Sequence, residues 1–147
     1  MIPEFDIDGD LPPGIHQATF GELERRFRRF VVSDRRIDLF ALFKQLVAMT
    51  RRSGIVERLV IGGSFVTSKS EPNDIDIVIV LSNDLDFDAL TPTQYAVTDR
   101  SALRRVFKTD ALDIITVRSG TTQMDLVLEF FQSKRDNKQV GVVEVKL

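Results

Sequence analysis

Between Ile75 and Leu81 the chain reads Ile-Asp-Ile-Val-Ile-Val-Leu, with Asp76 the lone polar position. So continuous a run predicts a strand over Asp74 to Leu81 that is covered on both faces, because a half-exposed strand would alternate apolar and polar residues. Val56 to Ile61 and the β-branched run Ala111 to Val117 predict two more strands. Val143, Val145 and Leu147 alternate with Glu144 and Lys146, which predicts an edge strand over Val140 to Leu147.

The helical pattern falls between these runs. Thr19 followed by Glu22 makes a capping box, so a first helix is expected from about Phe20 to Phe30. Ser33 or Asp34 caps a second, whose apolar positions Ile37, Phe40, Phe43 and Val47 keep helical spacing until Gly54 stops it. A third helix is expected over Thr93 to Phe107. Thr122 and Asp125 form a weaker capping pattern for a fourth, running to about Lys134. The breaker-rich start, including Leu11-Pro-Pro-Gly-Ile-His16, reads as an arm or loop covering residues 1–18. Residues 82–110 between the central strand and Ala111 to Val117 are long enough for a parallel crossover, which would bring Asp113 to the same sheet end as Asp74 and Asp76. The expected class is α/β (α+β), a single domain over 1–147 with about four strands and flanking helices.

Composition narrows the function classes. The chain has 147 residues, 43% hydrophobic and 29% charged, which suits one domain with a sizeable core and leaves no room for a second substrate domain. A formal charge of -2 argues against a protein that coats nucleic acid non-specifically. There is no cysteine, which excludes disulfides and thiolate metal sites. The acidic start lacks the pattern of a signal peptide, and no apolar run reaches membrane-spanning length, so a cytoplasmic protein is expected.

The candidate chemistry is concentrated in residues 61–81. Asp74 and Asp76 are two apart on an extended chain, so both carboxylates project from one face, ~7 Å apart along the strand. Carboxylates at the mouth of a buried strand need a positive partner, and hard oxygen donors of this kind suit magnesium. Gly62 and Gly63 let a phosphate approach the backbone, and Ser64 can donate through its hydroxyl. Metal carboxylates beside a phosphate cradle are what transfer of a nucleotide from a triphosphate requires.

Gly62-Gly63-Ser64, the spacer 65–73 and Asp74-Ile75-Asp76 before a hydrophobic strand resemble the signature of the nucleotidyltransferase superfamily typified by DNA polymerase beta. Leu-Pro-Pro-Gly-Ile-His, Gly-Ser-Phe-Val-Thr-x-Lys, Pro-Asn-Asp-Ile-Asp and Val-Gly-Val-Val-Glu-Val look like an uncharacterised bacterial group of small stand-alone nucleotidyltransferases, and this resemblance spans nearly the whole chain. It implies a mixed sheet with flanking helices, and magnesium held by Asp74, Asp76 and a third carboxylate that opens a later strand. Asp113 is the best match for that third residue, with Asp110 in reserve. Gly62, Gly63 and Ser64 would hold the triphosphate, with ATP the expected donor and a hydroxyl, on a partner protein as in minimal nucleotidyltransferase antitoxins that modify a toxin, the acceptor. Many minimal members carry a further glycine where this chain has Ser68 and Lys69, so Lys69 is a candidate phosphate contact, with Lys138 and the pair Lys134-Arg135 as looser ones.

Two other readings compete. A fold of this kind can persist as a non-catalytic interaction protein. An enzyme acting on a tRNA end would need the arginine pairs 25-26, 28-29, 35-36 and 51-52 to gather beside the site; such pairs more often form a solvated face. His16 reads as structural or exposed rather than as a general base. Phe130-Phe131, without interleaved basic residues, reads as core or oligomer packing rather than a stacking platform.

Overall fold

The computed structural model describes residues 1–29 and 34–147. Strand β1 (Gly14–Ala18) leads into helix α1 (Phe20–Phe27), which starts on the expected capping box. Thr19 Oγ1 accepts from the Glu22 amide at 3.1 Å while Glu22 Oε2 accepts from the Thr19 amide at 2.7 Å. The helix ends at Phe27, earlier than expected; Phe30 and Ser33 lie outside the described residues. Helix α2 (Arg35–Ser53) follows Asp34, whose side chain makes no capping bond, and stops where Gly54 takes a left-handed conformation.

The remaining elements are β2 (Val56–Gly62), a 3₁₀ turn over Gly63–Val66, β3 (Ile75–Leu81), a second 3₁₀ turn over Phe87–Ala89, α3 (Pro92–Tyr95), α4 (Arg100–Phe107), β4 (Leu112–Arg118), α5 (Thr122–Phe131) and β5 (Gly141–Lys146). The helix expected over Thr93 to Phe107 is two helices, because Thr91 and Asp99 each cap a start of their own. Helix α5 is capped by Thr121 rather than Thr122 and ends three residues short of Lys134.

The five strands form one mixed sheet in the order β1-β5-β2-β3-β4. The outer pairs, β1 with β5 and β3 with β4, are parallel; β2 runs antiparallel to both β3 and β5. Among the described residues the fold is therefore a mixed α/β domain with five strands rather than about four. The extra strand lies within the segment expected to be an arm. It is short, exposes alternate residues, and pairs with the opposite end of the chain, so no local pattern marks it. It takes the edge and places β5 inside the sheet, not at its rim. Glu144, which suggested a solvated face, is buried and held by Arg58 at 3.0 Å.

Strand β3 is covered on both faces, as its sequence predicts. Ile75, Ile77, Ile79 and Leu81 pack into a core with Phe27, Phe40, Phe43 and Phe65. Val78 and Val80 join Val60, Val117 and Val142 under Met124 and Leu128 of α5. Each fully buried Ile or Val is worth roughly 1.5–3 kcal/mol, so this strand is a principal anchor of the domain. Helix α5 ends beside the second face: a β-carbon on Gly62 would meet Phe131 Cδ2 at 3.0 Å and Val142 Cγ1 at 3.3 Å. Gly62 is the register partner of Asp76, so the helix stops at the acid end of the sheet and leaves it open.

Candidate functional site

The parallel crossover sets Asp76 directly opposite Asp113, its register partner on β4. Both line a cleft of about 830 Å³ together with Gly63, Ser64, Lys69, Ile115 and the end of α5. Asp74 precedes β3, is half-buried, and lies outside the cleft lining, but its charge acts on Asp76. Asp110, the reserve third carboxylate, is 94% exposed, pairs with Arg104 and also lies outside the cleft, so Asp113 is the acid that the fold brings to Asp76.

Electrostatically the acids are under-compensated. Burial, then Asp74 and Asp113, push the Asp76 carboxyl up to about 6. Burial and Asp113 also raise Asp74, against the opposing pull of Arg35 and Lys69. Asp113 has turned one oxygen toward Arg100 at 3.4 Å. Among the described residues no three acid or imidazole side chains converge into a closed metal-binding group. The donor set nevertheless fits magnesium: all three residues offer hard carboxylate oxygens, and a divalent cation would offset both the burial of the Asp76 charge and the smaller repulsion from Asp74 and Asp113.

The glycines divide their work. Gly63 has φ of 72°, and a β-carbon there would lie 2.2 Å from Asp76 Oδ2, so only glycine lets the turn close onto the acid. Gly62 is buried and its bareness serves packing against Phe131 and Val142. Ser64 lines the cleft, and its carbonyl accepts from the Thr67 amide at 3.2 Å and hydroxyl at 2.7 Å, tightening the turn.

The loop after Ser64 is held from two sides by residues that sequence reasoning assigned elsewhere or passed over. Arg36 is fully buried and donates to the carbonyls of Phe65 at 2.7 Å, Thr67 at 2.8 Å and Lys69 at 2.7 Å, and to Phe27 at 3.0 Å. Its neighbour Arg35 donates to Pro72 at 3.1 Å and also to Asn73. One detectable signal was position: Arg36 falls three and four residues before Leu39 and Phe40, on the apolar stripe of α2. On the other side the Ser68 amide donates to the Gly9 carbonyl at 2.9 Å, and a β-carbon on Gly9 would collide with the Ser68 hydroxyl at 2.0 Å. Ser68, standing where a glycine was expected, therefore packs against a glycine of the N-terminal arm.

That arm also binds the opposite wall. Lys138 Nζ lies 2.9 Å from Asp6 and Asp8 and 2.8 Å from buried Asp10, while Lys134 reaches Asp10 at 2.9 Å. The two lysines are thus committed to carboxylates. Lys69 and Arg135 also line the cleft, and among the described residues neither has a carboxylate within ion-pair distance, although the Lys69 charge still acts on Asp74. None of the eight paired arginines of the N-terminal half lines it. His16 donates from Nε2 to the Pro12 carbonyl at 2.6 Å, a structural contact.

One family model, described as a family of unknown function (DUF6932), matches residues 3–146. No curated protein and no solved structure matches the chain. Among the described residues no helix is long and apolar enough to cross a membrane.

Proposed function

Since the chain belongs to the DUF6932 family, whose function is unknown, we infer an activity from its own site: we propose a magnesium-dependent nucleotidyltransferase that moves AMP from ATP to a hydroxyl acceptor. The observation that carries the reading is the facing pair Asp76 and Asp113, with Gly63 closed against Asp76. It agrees with the resemblance of the Gly-Gly-Ser and Asp-Ile-Asp segments to the polymerase beta superfamily.

In this reading Asp74, Asp76 and Asp113 hold magnesium, which when bound neutralises phosphate charge and lowers the cost of losing pyrophosphate. Gly63 and Ser64 receive the triphosphate tail, and Lys69 supplies a cation beside it. The acceptor oxygen attacks the α-phosphorus, the bond to the bridging β-oxygen breaks, pyrophosphate leaves with that electron pair, and Asp113 takes the hydroxyl proton. Arg36 keeps the loop carbonyls turned inward, away from phosphate oxygens they would repel. Among the described residues the cleft stands open at the acid end of the sheet, so a partner protein that brings its own hydroxyl is the acceptor we favour.

A specific observation supports a second reading, a non-catalytic interaction protein: Asp113 is engaged by Arg100 and Asp74 stands outside the cleft. Incubation with ATP labelled on the α-phosphorus, magnesium and a cell lysate separates the two. Label on a protein or RNA that depends on intact Asp76 supports the enzyme. No labelled acceptor under any condition, with ATP bound, favours the interaction protein.

A further inference from the structure

The cleft has an apolar part that neither the acids nor the phosphate loop uses. Phe130 and Phe131 close α5 and both line it, beside Ile115 of β4 and Val140. Phe131 is half-buried and fixed against Gly62 and Val142. Phe130 is 73% exposed, its ring 6.5 Å from that of Phe131 at an angle of 60°. At that exposure Phe130 contributes little apolar burial to the fold, and its ring is available to the cleft. Arg135, four residues past Phe131, also lines the cleft.

A triphosphate seated at Gly63, Ser64 and Lys69 would share one cleft with Asp76, Asp113 and Ile115 of the sheet and with the aromatic end of α5. A planar base stacks on such a ring at little entropic cost because α5 already holds it in place. Arg135 adds a guanidinium that can lie over the base or meet the ribose phosphate edge.

We propose that Phe130, seated on Phe131, is the nucleobase platform of this site and that its ligand is a nucleoside triphosphate. The assignment rests on the nucleotidyltransferase reading above. Stacking recognises a π-face and not a pattern of donors, so ATP and GTP bind with similar affinity.

Calorimetry on the full chain with magnesium, using ATP, GTP and inorganic tripolyphosphate against wild type, Phe130→Ala and Phe130→Trp, tests it. Phe130 is exposed, so the alanine variant keeps its fold, checked by an unchanged circular dichroism spectrum. The expected result is ATP affinity lower by on the order of ten-fold in Phe130→Ala, restored in Phe130→Trp, with tripolyphosphate binding unchanged throughout. ATP binding that is equal in wild type and Phe130→Ala overturns the platform and leaves the enzyme reading standing. Equal losses for ATP and tripolyphosphate also overturn it, since the residue would then act on the phosphate site. Wild type that binds neither ligand overturns the nucleotidyltransferase reading itself.

Discussion

Gly63 and Asp76 are in such close approach that a β-carbon on the glycine would lie 2.2 Å from Oδ2 and 2.9 Å from Cγ of the acid. The Gly63 turn and the Asp76 carboxylate are therefore one mechanical unit. Gly63→Ala has to push the Asp76 side chain aside and also force alanine into φ of 72°. We expect the variant to fold with a loss of about 1–2 kcal/mol, and to lose magnesium-dependent nucleotide binding completely. Urea unfolding and calorimetry on the same sample check both parts.

Arg36 makes the second prediction. Its guanidinium satisfies four carbonyls from a fully buried position, and burial alone pulls it down to about 10, still charged at neutral pH. Arg36→Met strands those carbonyls and should cost about 3 kcal/mol or more. Arg36→Lys keeps the charge but not the planar fork, and recovers only part of the loss. Denaturant midpoints of the three proteins give the order wild type, lysine, methionine.

The pH dependence follows from Asp76. Its carboxyl is raised from 3.8 to about 6, mainly by burial and then by Asp74 and Asp113. Between those values the folded protein holds a proton that the unfolded chain has released, so stability falls as pH rises through about 6. Asp76→Asn removes that loss. The variant should match wild type near pH 4 and exceed it above pH 7 by roughly 1–2 kcal/mol, after discounting for solvent screening. Unfolding curves at the two pH values, without divalent cations, decide it.

Lys138 predicts a local effect. It ties Asp6, Asp8 and Asp10 of the arm to the segment before β5, and Gly9 between them holds Ser68. Lys138→Met leaves those carboxylates facing one another, with Lys134 alone on Asp10. Hydrogen exchange should quicken at the amides of Asp8, Asp10 and Ser68, while β3 amides keep wild-type protection.

The parts of this molecule legible in the sequence are those with a local physical signature. The doubly buried β3 shows in its unbroken apolar run, α1 in its capping box, and the Asp76 and Asp113 pairing in the length of the crossover. What escaped is carried by contacts between distant segments. Strand β1 is too short and too polar to be seen without β5, and placing β1 at the edge is what moves β5 inward. Arg36 looks like one of a charged pair until Phe65, Thr67 and Lys69 surround it. Lys134 and Lys138 look like phosphate ligands until Asp10 claims them.

Titration of ATP into the full chain with and without magnesium tests the proposal that Asp74 and Asp76 bind a metal-nucleotide. We expect saturable binding that requires magnesium and is abolished when Asp74→Ala is combined with Asp76→Ala in a variant that remains folded. Absence of magnesium-dependent binding by the wild type, or equal binding by the double variant, would contradict it.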